Sequence, residues 1–182
     1  QPLPLTPNEY GEQPLAGLRN FAEINATMSI LTRVPEGYGD VPDTYQRLRT
    51  QLPSEENIEA FLTAHQVGVA QLAIEYCNAL VEAERTNDAA IPPLFVGLNY
   101  NAGANTITPQ QWRDWVISPL FERMVGNGQA DQPARADVEG ELEQLLFDTN
   151  LTQCSSDCVE RTATAAKAAC AAMLGSATML MQ

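Results

Sequence analysis

The sequence predicts an all-α domain: a disulfide-stabilised bundle of about six helices around one long central helix. Three observations predict it. The stretch from Ser54 to Glu84 contains no proline, and its apolar residues Ile58, Phe61, Leu62, Val69, Leu72, Ala73, Tyr76, Cys77 and Leu80 recur in steps that share one helical face. Stripes of the same period recur on both sides of it. Four cysteines, Cys77, Cys154, Cys158 and Cys170, form an even set without metal-type spacing, which points to disulfides in an oxidising compartment.

In the central helix, Ser54 follows Pro53 and supplies a hydroxyl cap, while Glu55 and Glu56 suit the positive end of the helix dipole. Ser54–Glu84 would be roughly 45 Å long at about 1.5 Å per residue, the spine of a small domain. Val67, Val69, Ala70, Leu72, Ala73 and Ile74 nearly surround its axis, the mark of a helix buried on most sides. Gly68 costs about 1 kcal/mol of helix propensity relative to alanine, and close approach of a second helix would account for it. The helix should fade at Arg85–Asp88.

Residues 1–14 are rich in proline and glycine and predict an extended arm or linker ahead of a single helical domain over 15–182. The chain starts at Gln1 without a basic–apolar leader, and reads as a mature form or a piece of a larger exported protein. A helix over Leu15–Thr32 follows, with Leu18, Phe21, Ile24, Met28 and Leu31 inward; Asn25 beside that stripe would need a hydrogen-bond partner if buried. Pro35, Gly37, Gly39 and Pro42 make a turn, and Pro42–Leu52 a shorter helix with Val41, Tyr45, Leu48 and Leu52 inward. Arg47 and Arg49 point elsewhere.

Residues 87–108 are the least regular region, with a short strand expected at Leu94–Tyr100. An irregular loop of this length is uncommon in a small domain unless it is used, so it is the preferred place for a binding surface. Thr108-Pro109-Gln110-Gln111 is a helix start with a hydroxyl cap, proline in the first turn and glutamine three residues on; Trp112, Trp115 and Val116 follow on one face. Ser118-Pro119 predicts a break or kink and a second short helix over Pro119–Val125 with Leu120, Phe121 and Met124 inward. Pro133–Asp148 predicts a helix burying Val138, Leu142, Leu145 and Leu146. The last helix, from about Ser156 to Leu174, is alanine-rich and able to lie close against the spine.

Four cysteines allow three pairings. Cys154 and Cys158 flank three polar residues at the mouth of the last helix, and a bridge there would close a small ring. Cys77 and Cys170 sit in apolar helical contexts, and a bridge between them would tie the spine to the last helix, contributing on the order of 4–5 kcal/mol by loop entropy. Two disulfides are expected, 77–170 and 154–158; the alternative is one loop bridge with two buried thiols.

Three blocks carry a resemblance: Phe21-Ala-Glu-Ile-Asn-Ala-Thr-Met-Ser-Ile-Leu-Thr, His65-Gln-Val-Gly-Val-Ala-Gln-Leu-Ala-Ile-Glu-Tyr-Cys77, and Arg161-Thr-Ala-Thr through Ala169-Cys170 to Leu174-Gly-Ser-Ala. Together they resemble a helical region of large secreted proteins of marine gammaproteobacteria that also carry LamG-type domains. The resemblance implies a bacterial exported protein with a surface or assembly role. No LamG β-sandwich is legible here, so carbohydrate binding does not carry over.

The net charge of −13 supplies no basic face for nucleic acid or for an anionic membrane surface. No run of about 20 apolar residues is present to span a membrane. Phosphate loops, dinucleotide fingerprints and Gly-x-Ser-x-Gly are absent from the sequence, and no catalytic residue is assigned. His65, the only histidine, reads first as structural and second as a ligand for a metal or, with a methionine, a haem. No metal site and no cofactor are expected. Glu139, Glu141 and Glu143 read as a solvated helix face. Of two glycosylation triplets, Asn25-Ala-Thr27 falls on a buried stripe, whereas Asn150-Leu-Thr152 is open to modification.

The expected function is a non-enzymatic structural, assembly or adhesion module of a bacterial secreted or cell-surface protein, extracellular or periplasmic. Its partners would be other protein subunits or envelope components, with self-assembly through residues 1–14. A redox or metal- or haem-binding protein built on His65 is the alternative, and a hydrolase using a carboxylate pair near 87–108 a further rival.

Overall fold

The computed structural model describes residues 19–50, 63–125, 133–148 and 151–176. The arm 1–14, the start of the first predicted helix through Leu18, Leu52 of the second, the predicted cap Ser54 and the first part of the predicted central helix lie outside the described residues. Within them the chain is helical, without a strand.

Helix α1 (Phe21–Thr32) begins later than its apolar stripe suggested, because Asn20 stops it. The Asn20 side chain accepts from the Glu23 N–H at 3.0 Å, and the Glu23 carboxylate accepts from the Asn20 N–H at 2.9 Å. This reciprocal capping box satisfies two otherwise orphaned amides. Arg33, in the left-handed region, ends the helix.

Helix α2 (Val41–Arg49) starts with proline in its first turn and buries Val41, Thr44 and Leu48; the Tyr45 ring stacks on Phe21 with centroids 5.1 Å apart.

Helix α3 (Thr63–Thr86) is the spine: 24 residues, about 36 Å at 1.5 Å per residue. It packs against α1, α2 and, most extensively, α7 (Cys158–Leu174). Val69, Leu72, Ala73, Tyr76, Cys77 and Leu80 are buried, as their spacing predicted. The apolar character does not close round the axis, however. Val67 and Ile74 are 51% and 57% exposed, seven residues apart on the face that no described helix covers. Ala163, Ala165, Ala166 and Ala169 of α7 are buried, and small side chains let α7 approach α3 closely. At its end, a Cβ on Gly175 would lie 3.6 Å from Ala70 Cα. Cys77 and Cys170 are bridged across this interface, 93 residues apart in sequence and both fully buried. The second bridge joins Cys154 to Cys158.

After α3 the chain turns rather than extending. The expected strand at Leu94–Tyr100 is absent: Leu98 N–H donates to Phe95 O and Ala102 N–H to Asn99 O, so the amides close tight turns instead of a ladder. A single 3₁₀ turn (Ala104–Thr106) precedes α4 (Pro109–Trp112). The Thr108–Gln111 capping box forms as its residues predict.

At Ser118-Pro119, where a break or kink and a second short helix were expected, the chain does not break but changes its helical repeat. The helix continues through a π-turn over Arg113–Ile117 into α5 (Ser118–Met124). Ser118 N–H donates to Arg113 O, five residues back. Widening the helix just before Pro119 accommodates a ring that lacks an N–H and would crowd a regular turn.

Helix α6 (Arg135–Glu143) passes into a second π-turn over Gln144–Asp148. Leu142 and Leu146 are buried, while Val138 and Leu145 are half-buried. Glu139 and Glu143 are not simply solvated. Arg135 pairs with Glu139, and Arg113 grips Glu143 with two guanidinium nitrogens, tying α6 to the π-turn at 113–117.

Candidate functional site

The C-terminal turn of α3 ends in a cleft of about 620 Å³, walled by Glu84–Asp88 and the loop to Asn101. This cleft lies in the segment singled out by its irregular sequence. Its architecture comes from one side chain. Glu84 follows Leu80 by one turn on the buried stripe of α3, where a carboxylate must be given donors. One oxygen accepts from Leu94 N–H at 2.6 Å and Phe95 N–H at 3.1 Å; the other accepts from Tyr100 O–H at 2.6 Å. Three donors separated by up to 16 residues from the acceptor therefore wrap the loop round the helix end. Burial, then the adjacent Glu84 charge, pushes the Tyr100 phenol far above its usual range, so it stays a donor.

Asp88 holds the second wall. It accepts from Ala90 N–H at 2.9 Å and from Tyr38 O–H at 2.7 Å. These hydrogen bonds, the backbone one first, lower its pKa below the ordinary carboxylate value. Arg33 reaches across to donate to Pro93 O at 3.1 Å. Arg85 is engaged by Glu160 and Glu82. Ile91, Leu94, Phe95 and Leu98 turn inward to the core, leaving Val96, 71% exposed, at the rim with Pro92 and Pro93. Gly97, at φ +102°, brings the backbone against Trp115, whose ring atoms stand 3.0 Å from where a Cβ would be.

The cysteines predicted as pairs are brought together as pairs. His65 lies in the first turn of α3, and its side chain is outside the described residues. Among the described residues no group of three or more His, Cys, Asp or Glu is placed to hold a metal ion. Nor, among them, is any helix long and apolar enough to cross a membrane. Asn25 is 2% exposed and finds the partners it needs: it accepts from Tyr76 O–H at 2.8 Å and donates to Glu36 at 2.6 Å. That commitment explains why its glycosylation triplet is a coincidence of sequence. Asn150 lies outside the described residues; Thr152 of the same triplet is buried, its hydroxyl donating to Leu146 O.

Glu84 carries no motif that marks it in the sequence. The available signal was a lone carboxylate continuing the Tyr76–Leu80 stripe by one turn.

These features define an all-helical domain with two disulfides and a preshaped surface cleft. No protein-family model, curated protein or solved structure matches the chain.

Proposed function

We propose that the domain is a non-enzymatic structural module, for assembly or adhesion, of a bacterial secreted or cell-surface protein. It works in an oxidising compartment, and its partners are other protein subunits or envelope components. The observation that carries this reading is the occupancy of Glu84. Its carboxylate accepts three hydrogen bonds from the loop it organises, and Asp88 accepts two more. The acids of the cleft wall thus hold its shape through these bonds. What the cleft offers outward is a stiff rim of Val96, Pro92 and Pro93 beside the amides of Asn99 and Asn101. A preorganised surface loses little ordering entropy on contact with a partner. Two disulfides support the compartment, and the resemblance noted above supports an exported bacterial protein.

Sedimentation of the full chain over a wide concentration range, together with binding to isolated envelope fractions and glycans, tests the reading. Concentration-dependent association or envelope binding that weakens on Val96→Asp, or on removal of residues 1–14, is the expected result. A chain that stays monomeric and binds neither envelope nor glycans overturns it.

A further inference from the structure

The two disulfides occupy opposite physical settings. Cys77–Cys170 is sealed between α3 and α7, with both residues fully buried. Cys154–Cys158 spans four positions, and both residues are half-exposed beside the exposed Ser155, Ser156 and Asp157. A dissolved thiolate reaches the second bridge and not the first. A ring this small also restricts the unfolded chain far less than one closing 93 positions, so the fold depends on it less.

The two sulfurs of the small ring differ from each other. Cys158 is the first residue of the 17-residue helix α7, and the N-cap residue Asp157, at φ +53°, makes no side-chain cap hydrogen bond. The first amides of α7 therefore face this end of the helix without a side-chain acceptor, where a thiolate on Cys158 would be stabilised by them and by the helix dipole. Cys158 is covered on its other side. A Cβ on Gly103 would stand 3.0 Å from Cys158 Cβ, and Thr162 O–H donates to Ala102 O at 2.7 Å, so the 102–106 turn lies across the root of the side chain. Cys154 sits in the connecting loop.

We propose that Cys154–Cys158 is an exchangeable disulfide that oxidises a dithiol, with Cys154 the sulfur attacked and Cys158 the sulfur that leaves. One thiolate of the dithiol forms a bond to Cys154 Sγ as the Sγ–Sγ bond breaks, and the electron pair departs on Cys158. The second thiolate of the dithiol then attacks its own mixed-disulfide sulfur and releases Cys154. The dithiol loses two electrons and two protons and becomes a disulfide; both cysteines end as thiols. Attack at the loop sulfur, whose partner's Cβ is crowded by the 102–106 turn, and departure of the thiolate stabilised at the helix end are the conditions that favour such exchange. The assembly role proposed above stands or falls separately, because it does not use these sulfurs.

The test incubates the full oxidised chain in graded ratios of reduced to oxidised dithiothreitol, traps thiols with iodoacetamide and locates them by peptide mass spectrometry. Cys154 and Cys158 are expected to open at a ratio at least about tenfold lower than Cys77 and Cys170, with helical circular dichroism unchanged. In Cys154→Ser the remaining Cys158 should alkylate with a pH midpoint about one unit or more below that of Cys154 in Cys158→Ser. Opening of both bridges together, or of Cys77–Cys170 first, overturns the exchange site. Equal or reversed midpoints overturn Cys158 as the leaving sulfur. The mapping on the unsubstituted chain decides the first point even if a variant fails to fold.

Discussion

The Tyr100 hydroxyl donates to one oxygen of Glu84 while the amides of Leu94 and Phe95 fill the other, so a single carboxylate at the end of the spine sets the path of the loop that follows. Glu84→Gln keeps the volume but turns one acceptor into a donor. The variant is expected to lose about 1–3 kcal/mol, the cost of leaving a partly buried donor unmatched. Tyr100→Phe should cost about 1 kcal/mol. Urea denaturation gives the magnitudes. Hydrogen exchange should show lost protection over residues 91–101 with α7 unaffected; uniform loss across the chain would contradict the local role.

Tyr76 and Asn25 form the corresponding link at the centre of the bundle. Tyr76→Phe leaves the buried Asn25 carbonyl oxygen without its donor and is expected to cost about 1–3 kcal/mol. Thermal or urea unfolding measures it. The double variant Tyr76→Phe with Asn25→Leu should recover part of the loss if the orphaned amide is its cause.

Gly97→Ala combines a φ of +102° with a Cβ placed 3.0 Å from the Trp115 ring. A cost of about 1–3 kcal/mol is expected, with a change in tryptophan fluorescence as the indole gives way. Gly37→Ala, where a Cβ meets nothing within 4 Å, is the control and should stay within about 0.5 kcal/mol.

Stability should hold a plateau in pH and fall on both sides. Lys167 first, then Arg85, keep Glu82 below its usual 4.5, and Arg113 does the same for Glu143. A carboxylate with a lowered folded pKa stabilises fully above its unfolded value and loses that contribution as pH falls through the folded one. At the other end, burial raises the phenols of Tyr76 and Tyr100 above 10.0. Their contribution is full below that value and is lost as pH rises from it toward the folded pKa, because the unfolded chain ionises first. Urea midpoints measured against pH should therefore be flat from about pH 5 to about pH 9. Glu82→Gln should shrink the acid limb and leave the alkaline limb alone.

The helices and both disulfides were legible in the sequence because their causes are local or periodic. The stripe Val69–Leu72–Tyr76–Leu80 places α3 on its neighbours, and Thr108 with Gln111 writes its own helix start. Three features were not legible. Leu94–Tyr100 has strand-like composition, but no edge is offered to it and Glu84 takes its amides instead. Pro119 signals an interruption, yet a π-turn absorbs it, since a five-residue return is not encoded by any one residue type. Leu15–Thr32 looked continuous, but Asn20 with Glu23 caps a helix start within it. The cleft was foreseen as a region and not as a geometry, because its shape depends on a carboxylate outside the loop.

The tie between positions 77 and 170 also governs when this chain can take shape. The spine's main packing surface comes from α7, so a nascent chain emerging from a ribosome lacks it until Leu174 has passed. Native packing of α3, and the bond between Cys77 and Cys170 with it, must await that helix.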